Sequence, residues 1–255
     1  MLSVTDYPLA VFGLSFLLLL ISVWTGALLF RRWWPPKDSI RDDFGVIQTA
    51  TLTLLGLIIA FSFSMAVSRY DQRKSLEEAE ANAIATEFLR ADLLPGADAA
   101  KVRALLTDYF DQRLLYYTTR DEQELKKINV RTAQLQAALW SAVAAPAAAA
   151  PSPTMALVAM GMNDVLNAQG YTQAAWWNRI PSAAWILMLT IGICCHVLVG
   201  YGVKDPKEER ALLLVLPLVM SIAFMLIADI DSPRSGAILV QPVNLLSIAE
   251  LVRPR

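Results

Sequence analysis

Apolar and polar residues fall along this chain in blocks too long for strands or ordinary surface helices. Four runs, Pro8–Phe30, Phe44–Val67, Ser182–Val203 and Ala211–Ala228, contain no Asp, Glu, Lys or Arg. Each approaches or exceeds the roughly 20 residues that carry a helix across the hydrocarbon core. The last is the shortest, and Pro217 inside it predicts a kink rather than a break. From Ser68 to Pro181 the pattern changes to helical spacing with water on one side. Leu76, Ala83, Ile84 and Phe88 share one face, as do Leu106, Phe110, Leu114 and Tyr117. Leu125, Ile128, Thr132, Leu135 and Leu139 follow a three-four repeat, a short helix seam.

The second run does not end where a membrane span should. At Ser68 it turns polar (SRYDQRKSLEEAEANAIATEFLRADLL), yet no Pro or Gly interrupts it between Gly56 and Pro95. A helix of about 50 residues would be roughly 75 Å long, more than twice the hydrocarbon thickness. One helix is therefore expected to leave the bilayer and carry an extramembrane domain on its end.

The fold class that follows is an all-α integral membrane protein: four transmembrane helices with a helical domain inserted between spans two and three. Residues 1–67 form the first hairpin, 68–181 the inserted domain, 182–228 the second hairpin and 229–255 a polar tail. Pro95-Gly96 marks a turn, with Asp98 as the expected N-cap of the next helix. Ser141–Thr154 (SAVAAPAAAAPSPT) reads as an exposed, mobile Ala/Pro linker. A further helix starts near Met155, and Trp176 and Trp177 return the chain to the interface. The turn KDPKEER makes spans three and four antiparallel neighbours. The one segment of strand period is AILVQ, after Gly236.

Composition agrees: the chain is 56 % hydrophobic, too apolar for an ordinary soluble domain. A net charge of −1 gives no support to nucleic acid as a partner. The first span has no Lys or Arg before its core, so it is not expected to be a cleaved signal peptide. Trp33 and Trp34 follow it and suit a headgroup-level anchor. Seven basic residues (Arg31, Arg32, Lys37, Arg41, Lys204, Lys207, Arg210) flank the short loops. Five (Arg69, Arg73, Lys74, Arg179, Arg234) lie on the opposite side. That count leans towards short loops in the cytoplasm. Enzyme chemistry has no support: one histidine, no Gly-rich phosphate loop, no GxSxG and no paired metal motif. No cofactor and no metal is expected, and acid pairs such as Glu77/Glu78 and Asp121/Glu122 read as solvated helix faces.

Several constellations bear on function. Thr49, Thr53, Gly56, Ala60 and Ser64 line up along span two as a small, hydroxyl-bearing stripe. Close helix packing explains such a stripe; so does a permeation pathway. Arg69, Tyr70, Asp71 and Arg73 sit where the helix leaves the membrane, as a snorkelling anchor or as a cationic pore mouth. Asp229 and Asp231 follow span four and oppose its dipole, with Arg234 near enough to compensate and Pro233 and Gly236 making a turn. His196 lies inside span three, where an ionisable residue is a functional suspect, and Gly192 and Gly200 share its face. Cys194 and Cys195 precede it. Neighbouring residues on a helix point about 100° apart, so the three do not converge on one metal without partners, and adjacent cysteines rarely form a disulfide.

LLGLIIAFSFSMAVSRYDQRK resembles the second span of bestrophins, where an apolar helix leads into a small residue, Arg and an aromatic. The order of parts is similar too. Closer still is a bestrophin-like group of uncharacterised bacterial membrane proteins, which the chain resembles at YDQRKSLEEAEANAIATEFLRADLLP and at DIDSPRSGAILV. The second stretch carries the spacing Asp229-x-Asp231-x-Pro233-x-x-Gly236. The resemblance implies a homopentameric, mainly anion-conducting channel of the bacterial inner membrane, lined by span two, with lipid and small anions as partners. Aligning Ser68-Arg69-Tyr70 with the bestrophin step places Thr53, Leu57 and Phe61 at the narrow neck. Thr53 departs from the bulky apolar residue expected there. The resemblance also puts the termini and large domain in the cytoplasm, against the charge count. In animal bestrophins an acidic run after span four binds calcium; here it is sparse, without six or more oxygens, and calcium is not expected. The alternative function is a non-conducting sensor or scaffold of the envelope.

Overall fold

The computed structural model describes residues 4–33, 41–203 and 210–253. Trp34, Lys37 and the loop residues 204–209 of the expected turn between spans three and four lie outside the described residues. Every regular element is helical, and among the described residues none lies in a strand. A 3-10 turn, Val4–Asp6, precedes α1 (Pro8–Thr25), which continues through a π-helical turn (Gly26–Phe30) into α2 (Arg31–Trp33). Then come α3 (Arg41–Arg90), a 3-10 turn (Ala91–Leu93), α4 (Gly96–Thr118), α5 (Glu122–Ala149) and α6 (Pro153–Trp177). The chain closes with α7 (Ser182–Gly202), α8 (Arg210–Asp231), α9 (Val243–Ser247) and α10 (Ala249–Val252). It divides into two compact units, 1–69 with 179–239, and 70–178 with 240–255. α3 is unbroken at the expected lipid boundary and contributes residues to both.

Four helices are long and apolar enough to cross a membrane, and their apolar stretches fall in the first unit. Lipid tails give helices no hydrophobic reason to associate, so close packing by small residues must do it. The crossing of α1 and α7 shows how. A Cβ on Gly200 would lie 1.9 Å from the Val23 carbonyl oxygen, and one on Gly26 would lie 2.1 Å from that of Val197. Both overlaps are with backbone, so neither position accepts a side chain without moving a helix. Leu19, Val23 and Ala27 on the α1 side and Met188, Cys195 and His196 on α7 are buried around this seam, with Leu213 and Phe224 of α8. α8 runs through Pro217 without ending.

The second unit is a soluble-type bundle with a core of Ile84, Phe88, Leu106, Phe110, Leu139, Val158 and Met162. The seam expected in α5 is buried at Ile128, Thr132, Leu135 and Leu139. Asp121 caps that helix, accepting from the Gln123 and Glu124 amides at 2.7 and 3.0 Å. Those amides hold its carboxyl below the ordinary range. Ser152 caps α6 by accepting from the Met155 amide, with Pro153 at the first helical position.

Four expectations need correction. The Ala/Pro linker is helical through Pro146 to Ala149, because the alanines around it are the best helix formers and carry the helix past the one i→i−4 bond that Pro146 cannot make; only residues 150–152 separate α5 from α6. Asp98 lies in the first turn of α4, whose N-cap is Pro95. AILVQ is irregular backbone rather than strand. The tail is not one segment, since residues 240–255 pack into the bundle and bury Val240, Leu245 and Val252.

Candidate functional site

Within its apolar half, α3 buries Leu55, Ser62 and Ala66. Only 17 % of its apolar window is buried in the chain, against 33–44 % for the other spans. Thr53, Leu57 and Phe61 stand on the uncovered side, Leu57 52 % and Phe61 65 % exposed. The small stripe is uncovered as well: Thr49, Thr53, Gly56, Ala60 and Ser64 are all exposed. A Cβ on Gly56 would meet nothing within 4 Å. The stripe is thus not explained by packing inside one copy of the chain. The Thr53 hydroxyl donates to the Thr49 carbonyl at 2.9 Å, satisfying itself within the helix.

The four residues at the end of this span do not act together. Arg69 is half-buried, with one guanidinium nitrogen 3.6 Å from the Met65 sulfur. Tyr70 lies under the Lys74 ammonium, and Asp71 is exposed. Arg73 is a correction: it is 1 % exposed and donates to the carbonyls of Ala175 and Asn178, both at 3.2 Å. These are orphan acceptors at the C-terminus of α6, where a cation is also favoured by the helix dipole. A guanidinium enclosed by its own chain is no pore-mouth charge.

Beyond span four, the two aspartates are held by different donors. Asp229 accepts from the amides of Ala237 at 2.8 Å and Ile238 at 3.1 Å. Gly236, at φ +97°, lets the backbone fold onto that carboxylate; a Cβ there would lie 1.6 Å from its oxygen. Asp231 accepts from the Ile180 amide and from Arg179 Nε at 3.0 Å. Arg179 also reaches Asp6 at 2.6 Å. The motif is therefore a clasp that ties the end of α8 to the start of α7 and to the N-terminal turn. Compensation comes from Arg179, 52 residues before Asp231 in sequence, and from backbone amides. Both carboxylates are taken up by donors of their own chain. Among the described residues no group of three or more His, Cys, Asp or Glu could hold a metal.

His196 is fully buried, with Nδ1 2.7 Å from the Gly192 carbonyl. Gly192 and Gly200, four residues to either side of it, lie against Leu19 and Val23 of α1, and the ring itself neighbours the Leu216 backbone of α8. Cys195 is buried and Cys194 exposed, pointing apart.

The strongest polar cluster was missed in the sequence. Glu80 and Arg113, both 0 % exposed, pair inside the bundle. Tyr117 and Thr172 donate to Glu80 Oε2 at 3.1 and 3.2 Å. Burial, then the Glu80 charge, pushes the Tyr117 hydroxyl far above the ordinary phenol range, so it stays a donor. Arg113 lies 4.3 Å from the Tyr116 ring centroid. Glu77 corrects the solvated-face reading: it is 1 % exposed and accepts from the Leu245 amide at 2.8 Å and the Asn244 side chain at 2.6 Å. The available signal was spacing. Arg73, Glu77, Glu80 and Glu87 recur at four, three and seven, in phase with Ala81, Ile84 and Phe88.

Comparison with known proteins agrees with this layout. No curated protein matches the chain. A crystal structure of a bacterial bestrophin homologue from Klebsiella pneumoniae is similar in fold, with a TM-score of 0.64 at 13 % identity over 96 % of each chain. A tryptophan-to-alanine variant of that homologue gives 0.64 at 12 % identity, covering 96 % of this chain and 94 % of its own. The family model for the Bestrophin-like domain matches residues 14–245. The chain accordingly belongs to the Bestrophin-like family.

Proposed function

We propose that this protein forms a homo-oligomeric channel, five-fold by resemblance, in which α3 of each copy lines the axis and small anions pass. The observation that carries the reading is the uncovered side of α3. A helix this apolar, with its hydroxyl and small-residue stripe unpartnered in one copy, is best completed by further copies of itself. Thr53, Leu57 and Phe61, four residues apart, would then form successive rings. Apolar rings at Leu57 and Phe61 gate by dewetting, while Thr53 offers hydroxyls at the third level. Arg69, at the end of the span, adds positive potential at that mouth. A bacterial inner membrane is the setting the family resemblance supports.

Halide efflux from liposomes carrying the purified protein tests this. Phe61→Ala is expected to raise flux several-fold by widening the ring, and His196→Ala, buried in α7, to leave it unchanged. Equal flux in Phe61→Ala and the parent, both as intact oligomers, contradicts the lining assignment. Absence of flux in both favours a non-conducting sensor or scaffold.

A further inference from the structure

Glu87 differs from the other buried acids of α3. Glu77 and Glu80 each accept from several donors, whereas Glu87 is 0 % exposed and neither of its oxygens has a hydrogen-bond partner. The carboxyl is seated on Gly161 of α6. A Cβ at that glycine would lie 2.0 Å from Glu87 Oε2 and 2.3 Å from an Arg90 guanidinium nitrogen. Glycine is what makes room for both groups. The ionisable neighbours are few: Arg90 on the same helix and Asp164 on α6 act on it from opposite signs. Asp92 of the 3-10 turn and Arg103 of α4 pair with each other. A carboxylate lacking a donor on either oxygen loses its hydration without a hydrogen bond in return, and the neutral acid avoids much of that cost. Burial pushes the Glu87 carboxyl up to about 8, with Arg90 opposing and Asp164 reinforcing.

We propose that the Glu87 carboxyl, seated over Gly161, is a proton-binding site, and that release of its proton to solvent loosens α6 from α3 at that glycine. The O–H bond breaks heterolytically, the proton goes to water or buffer, and the buried negative charge left behind favours local opening. This site does not depend on whether the protein conducts.

The sign follows from linkage. A carboxyl raised in the closed state keeps its proton there between its open-state value near 4.5 and about 8. Across that window the opening constant rises about tenfold per pH unit, and above it the dependence levels off. Hydrogen exchange of the full-length protein in nanodiscs, corrected for intrinsic rates, reads this at the amides around Gly161. The wild type should show that slope, and Glu87→Gln should be flat and no more open at neutral pH. Infrared spectra of the wild type at neutral pH should contain a protonated carboxyl band that Glu87→Gln and Gly161→Ala both lack. A flat wild-type profile overturns the proposal, as does an unchanged slope in Glu87→Gln or an ionised Glu87 held by Arg90. If Glu87→Gln does not accumulate, the wild-type slope decides alone.

Discussion

The two halves of α3 handle polarity in opposite ways. The apolar half buries Leu55, Ser62 and Ala66 and leaves Thr53, Leu57 and Phe61 uncovered. The charged half turns Arg73, Glu77, Glu80 and Glu87 inward, each at 1 % exposure or less. Charge alone would have assigned these faces the other way round. Three of these groups are tolerated because the bundle supplies partners: helix-end carbonyls for Arg73, the Leu245 amide for Glu77, and Arg113 for Glu80; Glu87 has no such donor. The uncovered apolar half has no such answer within one chain. One half is complete as a monomer, and the other calls for lipid or further copies.

The largest expected effect is on the complete half. Glu80→Ala leaves Arg113 as an uncompensated buried charge and is expected to destabilise the bundle by about 3–5 kcal/mol. Thermal unfolding in detergent checks this, and a loss below about 1 kcal/mol would mean the pair is wetter than its burial indicates. Next comes the seam of the first unit. Gly200→Ala drives a methyl into the Val23 carbonyl and should cost roughly 1–3 kcal/mol by overpacking. Seen as a lowered melting temperature, that cost should disappear at exposed Gly56→Ala. Smallest is Thr53→Ala on the uncovered half. Its hydroxyl bonds only within its own helix, so stability should stay within about 0.5 kcal/mol while halide flux changes. A large stability loss there would mean the residue is packed rather than facing an axis.

Much of the architecture was legible because bilayer thickness imposes a long, charge-free signature that few other structures share. The four spans came from charge-free length, the continuous α3 from the lack of Pro or Gly between Gly56 and Pro95, and the α5 seam from hydrophobic period. The Ala/Pro segment misled because prolines suggested a linker, while the alanines around Pro146 extended α5. The clasp was half legible: Asp229, Asp231 and Gly236 were found by their spacing, but Arg179 is brought to them only by the fold. Glu77, Glu80 and Glu87 were hidden by a sound general rule, that acids on helices face water. Their phase with Ala81, Ile84 and Phe88 was the contrary signal. The candidate lining residues rest on resemblance, and the uncovered side of α3 gives them physical support that spacing alone did not.

A cryo-EM map of the purified protein in lipid nanodiscs bears on all of this at once. Several copies around a common axis, with Thr53, Leu57 and Phe61 of each facing that axis, is the expected result. A single copy, or an oligomer in which those three side chains contact acyl chains, would contradict it.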